Sequence, residues 1–304
     1  MRRPTALFLG AAVLLVAGCS SAAEGETEDN TPETETQDQD TGTAAEPLSG
    51  DDGPLVVGHR GATGTSPENT LVSIAEAVEM GADIIEIDVQ LSSDGEPFLF
   101  HDSDATRTTD VVDVFEDQVR QPITSFTWEE LSQLDAGSHF SEEFAGEAIP
   151  HLTDVPGVLD DDVVMNIEIK EPGDSAGVEQ VIADLLAEDG EWQELAEQDR
   201  VIISSFDEES MSTFAELAPD VPVYQVGTVP GEAILDLWTT YAVGVVTNHE
   251  NARAEDVQRV RDKGMGFGVY TVNTTEDMER VLELDVDFII TDYPADLIEL
   301  IESQ

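Results

Sequence analysis

Between residues 54 and 304, short apolar or β-branched runs alternate with stretches of helical spacing. The runs at 55–58, 83–90, 163–170, 200–206, 222–227, 243–248, 266–272 and 286–291 read as strands. Between most of them lie amphipathic segments, such as ENTLVSIAEAVEMGA at 68–82, EDVQRVRDKG at 255–264 and TEDMERVLEL at 275–284. Eight strands alternating with helices over roughly 250 residues is the count and size of an α/β fold of the TIM-barrel kind, (β/α)8. A doubly wound open sheet is the alternative. However, the glycine-rich turn at 58–64, GHRGATG, lacks the G-x-G-x-x-G spacing of a dinucleotide-binding turn. One interval breaks the alternation. Residues 94–161 are too long for one barrel loop: DGEPFLFHD at 94–102 reads as a hairpin, and the acidic, turn-rich stretch at about 103–161 as an insertion after the second strand.

Ahead of the barrel pattern the chain changes character twice. Residues 1–18 carry Arg2 and Arg3 and then the apolar run ALFLGAAVLLVAG, too short for a comfortable membrane span, and read as a signal segment. LVAGC, ending at Cys19, resembles the lipobox of exported lipoproteins, in which the cysteine receives lipid. Cys19 is the single cysteine, so no internal disulfide is expected. From 20 to 53 the chain has 11 acidic residues, no basic one and no apolar period, and is expected to be a solvated tether. The expected organisation is a signal segment at 1–18, a lipidated tether at 19–53 and one barrel domain at 54–304. Its expected location is the outer face of the cytoplasmic membrane, held there by the lipid alone.

Charge excludes some partners. The chain has 67 acidic residues against 12 basic ones, a formal net charge of -55, and only two lysines, Lys170 and Lys263. Such a surface repels nucleic acid and anionic lipid, and it is expected to be an adaptation to high salt.

In a barrel of this kind reactive groups collect at the carboxyl ends of the strands. The first strand ends at His59 and Arg60, fenced by Gly58 and Gly61, and a titratable base beside a permanent cation at that point suggests anion chemistry. The second carries Glu86 and Asp88 two apart, hence on one face, and the third carries Glu168 and Lys170 in the same relation. Carboxylates on an apolar strand are too costly to bury unpaired. Glu86, Asp88 and Glu168 suit Mg²⁺ or Ca²⁺, while an ion-pair network with Arg60 and Lys170 is the alternative. His101 closes the hairpin and is placed to face His59. His139, His151 and His249 lack such company, and Trp128, Trp192 and Trp238 read as packing residues.

Five stretches in order carry a family resemblance: GHRGATGTSPENT, GADIIEIDVQLSSDGEPFLFHDSDATRTT, NIEIK, YTVN and VDFIITDYP. Over about 54–300 the chain resembles the glycerophosphodiester phosphodiesterase family. The resemblance implies a barrel enzyme that hydrolyses glycerophosphodiesters to sn-glycerol 3-phosphate and an alcohol. It implies that His59 and His101 are the catalytic pair, Arg60 the phosphate contact, Lys170 an auxiliary one, and Glu86, Asp88 and Glu168 the metal ligands. Phe100 and Tyr270 depart from the residues familiar at those places, which bears on the shape of the leaving-group pocket. Two other readings are a phospholipase D- or C-like enzyme acting on lipid head groups and a non-enzymatic tethered binding protein.

Overall fold

The computed structural model describes residues 45–50, 53–170 and 173–303. The expected signal segment, Cys19 and most of the expected tether lie outside the described residues. In chain order the strands are β1 (Leu55–His59), β2 (Ile84–Leu91), β3 (Pro97–Leu99), β4 (Val164–Ile169), β5 (Val201–Ser205), β6 (Val223–Val226), β7 (Gly244–Asn248), β8 (Gly266–Tyr270) and β9 (Phe288–Thr291). All but β3 are parallel neighbours in one ring, β1-β2-β4-β5-β6-β7-β8-β9, which closes where β9 pairs with β1. β3 turns back antiparallel on the upper end of β2, so the expected hairpin is present. Every run expected to be a strand forms one.

Alternation along the strands sorts the core into two apolar layers. Ile85, Ile87 and Val89 of β2 and Met165, Ile167 and Ile169 of β4 point outward, into a cluster with helical residues such as Ile74, Ile182 and Phe214. At the amino ends of the strands the ring is filled by a separate set that includes Val57, Ile84, Ile202, Tyr224 and Phe288. The Tyr224 and Phe288 rings meet edge to face at 5.3 Å. Ala45 and Leu48 pack against this filling, and the Leu48 N–H donates to the Tyr224 hydroxyl at 2.7 Å. These two residues fall within the stretch expected to be tether.

The helix after β1, α1 (Leu71–Glu79), is shorter than the 68–82 its pattern predicts. Thr70 is its N-cap, and Asn69 just before it has φ of 55°. The insertion contains two single-turn helices, Val111–Val114 and Trp128–Leu131, and several 3₁₀ turns. It has a core of its own around Phe98, Phe100, Ile123, Phe126 and Leu131. Among the described residues no helix is long and apolar enough to cross a membrane.

Candidate active site

His59 is the last residue of β1, and the turn that follows is tight for a stated reason. Arg60 has φ of 53°, a left-handed conformation that a non-glycine residue adopts at a cost of order 1 kcal/mol. It is held there from several sides. The Arg60 N–H donates to Glu86 Oε2 at 2.8 Å, and its carbonyl accepts from Ser73 Oγ at 3.0 Å and from the Asn69 N–H at 3.1 Å. The glycines beside it let α1 pack close against the turn. A Cβ on Gly61 (φ 89°) would lie 2.4 Å from the Ser73 backbone, and one on Gly58 would lie 3.0 Å from Ala77 Cβ.

The three carboxylates come together as their alternation requires. Register places His59 beside Glu86 and Asp88 beside Glu168 on adjacent strands. One oxygen from each of Glu86, Asp88 and Glu168 lies within 4.8 Å of the others, and Glu86 and Asp88 are buried. The alternative ion-pair network is present at the same place. Arg60 Nε lies 3.1 Å and Lys170 Nζ 3.2 Å from Asp88, and Lys170 also touches Glu168. Asn69 grips Asp88 twice: its Nδ2 donates to Oδ2 at 2.8 Å, and its Oδ1 accepts from the backbone N–H at 3.1 Å.

Two cations do not balance three carboxylates, two of them buried and the third partly so. Burial, reinforced by the charges of Asp88 and Glu168, pushes Glu86 well above the usual carboxylate range. Burial raises Glu168 as well. Burial would also raise Asp88, but Lys170 and then Arg60 outweigh it and hold the group at about 2. Glu86 Oε1 has no hydrogen-bond partner. A hard divalent cation is the ligand that such a cluster fits: it would supply the missing charge and occupy the unpartnered oxygen.

Both expected histidines reach the same cavity, of about 170 Å³, together with Arg60, Glu86, Glu168 and Lys170. Phe206 and Tyr270, in edge-to-face contact at 5.8 Å, line it too. A second groove of about 400 Å³ shares His101, Glu168, Lys170 and Phe206 with it, while His59 lines only the first. Each histidine is held by a carboxylate. His59 Nδ1 lies 2.6 Å from Asp292 Oδ1, and His101 Nδ1 lies 2.8 Å from Asp102 Oδ1. An ionised carboxylate only accepts, so each Nδ1 carries the proton and each Nε2 is left free for chemistry. Asp292 is braced by Asn273, whose Nδ2 donates to it at 2.6 Å. Burial would raise both aspartates, yet His59 holds Asp292, and His101 with Arg107 holds Asp102, below the usual carboxylate range.

Several of these partners were not singled out in the sequence. Asp292, Asn273, Asp102, Arg107, Asn69 and Glu68, which accepts from Arg60 Nη1 at 2.8 Å, all lie in the quoted motifs. Asp292 directly follows β9 and Asp102 directly follows His101, so both stand at element ends of the kind that point to His59. Glu68 and Asn69 gave no such signal, because Pro-Glu-Asn-Thr reads as a helix start. The remaining histidines stay outside the cavity. His151 stacks edge-on against Trp128 and meets Thr153 and Glu96, and His249 accepts from Arg280. Trp192 is fully buried and donates to the Leu152 carbonyl.

Comparison with known proteins agrees with this geometry. The glycerophosphoryl diester phosphodiesterase family matches residues 59–296. A glycerophosphodiester phosphodiesterase of Caldanaerobacter subterraneus is 37% identical over 257 residues, covering 81% of this chain and 97% of that protein. One from Bacillus subtilis is 32% identical over 253 residues, covering 79% and 84%. A solved Oleispira antarctica phosphodiesterase, in complex with the product sn-glycerol-3-phosphate, is 28% identical with a TM-score of 0.70, over 82% of this chain and 97% of that one.

Proposed function

Because the chain belongs to the glycerophosphoryl diester phosphodiesterase family, we propose that it hydrolyses glycerophosphodiesters to sn-glycerol 3-phosphate and an alcohol, with metal dependence and with His59 and His101 as proton carriers. The observation that carries this reading is one cavity holding two carboxylate-tethered histidines beside three clustered carboxylates. A phosphodiester is already negative, so its oxygens must be neutralised, a nucleophile activated and a leaving alkoxide protonated. Arg60 and Lys170 hold phosphoryl oxygens. A divalent cation on Glu86, Asp88 and Glu168 supplies further positive charge when bound.

The two histidines divide the proton work by position. His59 lines only the first cavity and takes the proton of the attacking hydroxyl, either of water, which gives the monoester directly, or of the neighbouring glycerol hydroxyl, which gives a cyclic phosphate that water then opens to the monoester. His101 also borders the outer groove, and it gives a proton to the alcohol as the P–O bond breaks. The groove is the wider and more open space, so it receives the variable head group. The test is a panel of glycerophosphodiesters with and without chelator. A nitrophenyl diester, whose leaving group needs no proton, should restore turnover to His101→Ala and not to His59→Ala; the reverse pattern would exchange the roles. Turnover of intact phospholipid in place of the deacylated diesters would favour the lipid-head-group alternative.

The same proposal extends to the cell. Cys19 carries lipid and holds an exported enzyme at the outer membrane face, a reading supported by the LVAGC stretch. An unmodified mature N-terminus in mass spectrometry would exclude it. The acidic surface is a salt adaptation, supported by the net charge of -55. A melting temperature that does not rise between ~0.1 and ~3 M KCl would remove that support.

A further inference from the structure

His101 stands at the end of the β3 hairpin, and Glu68 in the loop that leads to α1, yet one side chain from the insertion reaches both places. Arg107 donates from Nε and Nη2 to the two oxygens of Asp102, at 2.6 and 2.9 Å. It donates from Nη1 and Nη2 to the two oxygens of Glu68, at 2.6 and 2.7 Å. Asp102 in turn holds His101 Nδ1 at 2.8 Å, and Glu68 is fixed from its other side by Arg60 Nη1 at 2.8 Å. Arg107 does not line the cavity that holds both histidines.

We infer that Arg107 is a positioning residue: anchored on Glu68, it locks Asp102 in place and thereby aims the His101 ring at the leaving alcohol. This inference rests on the phosphodiesterase reading above. The chemistry of the side chain supports it. A guanidinium presents its donors in a rigid planar fork, so two bidentate pairs fix both carboxylates in orientation as well as in distance. The Arg107 side chain is 49% exposed, so solvent screens its ion pairs and limits what they add to stability. What the doubly bidentate geometry adds is a fixed orientation of both carboxylates. Without it the Asp102 side chain keeps only His101 as a partner, and the two side chains can turn together while Gln90 still holds the backbone through the Phe100 and Asp102 carbonyls. Lysine offers one compact charge and can satisfy only one of the two carboxylates at a time.

The test compares wild type, Arg107→Ala, Arg107→Lys, Asp102→Ala and the double variant R107A/D102A. On an alkyl glycerophosphodiester, Arg107→Ala is expected to lower kcat by about 10- to 100-fold, the scale of a misaimed catalytic group, while KM stays within about threefold. The melting temperature is expected to stay within roughly 3 °C of wild type, as suits an exposed pair. Arg107→Lys is expected to fall between the two. On the nitrophenyl diester, where no proton is needed, Arg107→Ala is expected to return to near wild-type kcat. In the Asp102→Ala background the Arg107 change is expected to cost no more than about twofold, because its effect runs through Asp102. The inference is overturned if Arg107→Ala keeps full kcat, if its loss persists with the nitrophenyl leaving group, or if the two losses multiply. A wild type inactive on every glycerophosphodiester would instead overturn the function beneath it, and this inference with it.

Discussion

At the carboxyl ends of the barrel strands, Glu86, Asp88 and Glu168 crowd together with Arg60 and Lys170 in contact, and two histidines are tied to aspartates. At the amino ends of the same strands the ring is filled by Val57, Ile84, Ile202, Tyr224 and Phe288, with Ala45 and Leu48 laid across it. One scaffold thus carries buried charge at one mouth and apolar packing at the other. The contrast follows from what each mouth must do. Buried carboxylates cost free energy unless a cation joins them, whereas each large apolar side chain taken from water contributes about 1.5–3 kcal/mol. Removing a group from the first mouth should change rate more than stability, and removing one from the second should do the opposite.

The largest effect is expected from the metal. Exhaustive chelation should abolish turnover and lower the melting temperature, and Mg²⁺ or Ca²⁺ should restore both. Full activity in a chelated sample, with metal content verified, would break the comparison at its first mouth. Next come the histidines. His59→Ala and His101→Ala should each lower kcat by about 10²–10⁴ on ordinary substrates, with melting temperatures close to wild type. Circular dichroism melts run beside the kinetics would reveal a variant that lost rate merely by unfolding.

At the other mouth, Phe288→Ala should destabilise by about 3–5 kcal/mol while leaving KM and kcat of the folded fraction unchanged. A drop in kcat without loss of stability would show that the two mouths are not independent. The smallest effect concerns pH. Asp292 is held below the usual carboxylate range by His59, so its contribution to stability is complete above the unfolded value of about 4 and is lost as pH falls through its depressed value. The stability gap between wild type and Asp292→Asn should therefore be open at pH 7 and close with acidification. The gap between wild type and Phe288→Ala should stay constant from about pH 4 to 8, because the ring carries no charge and burial pushes the hydroxyl of its edge-to-face neighbour Tyr224 further above its ordinary value of 10.0. Equal pH dependence of the two gaps, read from urea melts, would remove the distinction.

The two mouths were not equally legible in the sequence. The charged one announces itself, because Glu86, Asp88 and Glu168 interrupt strands that are otherwise apolar and recur at the same height. The apolar one is visible only as ordinary strand composition; nothing in Ala45 to Gly50 distinguishes it from the acidic stretch before it, and a six-residue contact is too short to show a period. The insertion was legible as an interruption but not as a structure. Its core residues Ile123, Phe126 and Leu131, which pack on Phe98 and Phe100 of the hairpin, are spread over short turns that follow neither a helical nor a strand repeat. Glu68 and Asn69 illustrate tertiary context overriding local preference. The residues suit a first helical turn, but ion pairs to Arg60 and Arg107 and the grip on Asp88 draw them out of it.

The seam where β1 meets β9 gives the barrel a schedule. His59 and Asp292 are 233 residues apart in sequence, and Leu55 of the first strand pairs with Phe288 of the last. A chain is synthesised from its amino end, and contacts of such long range form only after the intervening polymer has been ordered. Every truncated copy that stops short of β9 has an open ring and a histidine without its aspartate. The pairing of His59 with Asp292 is therefore among the last contacts the polypeptide completes, made by the same event that closes the ring.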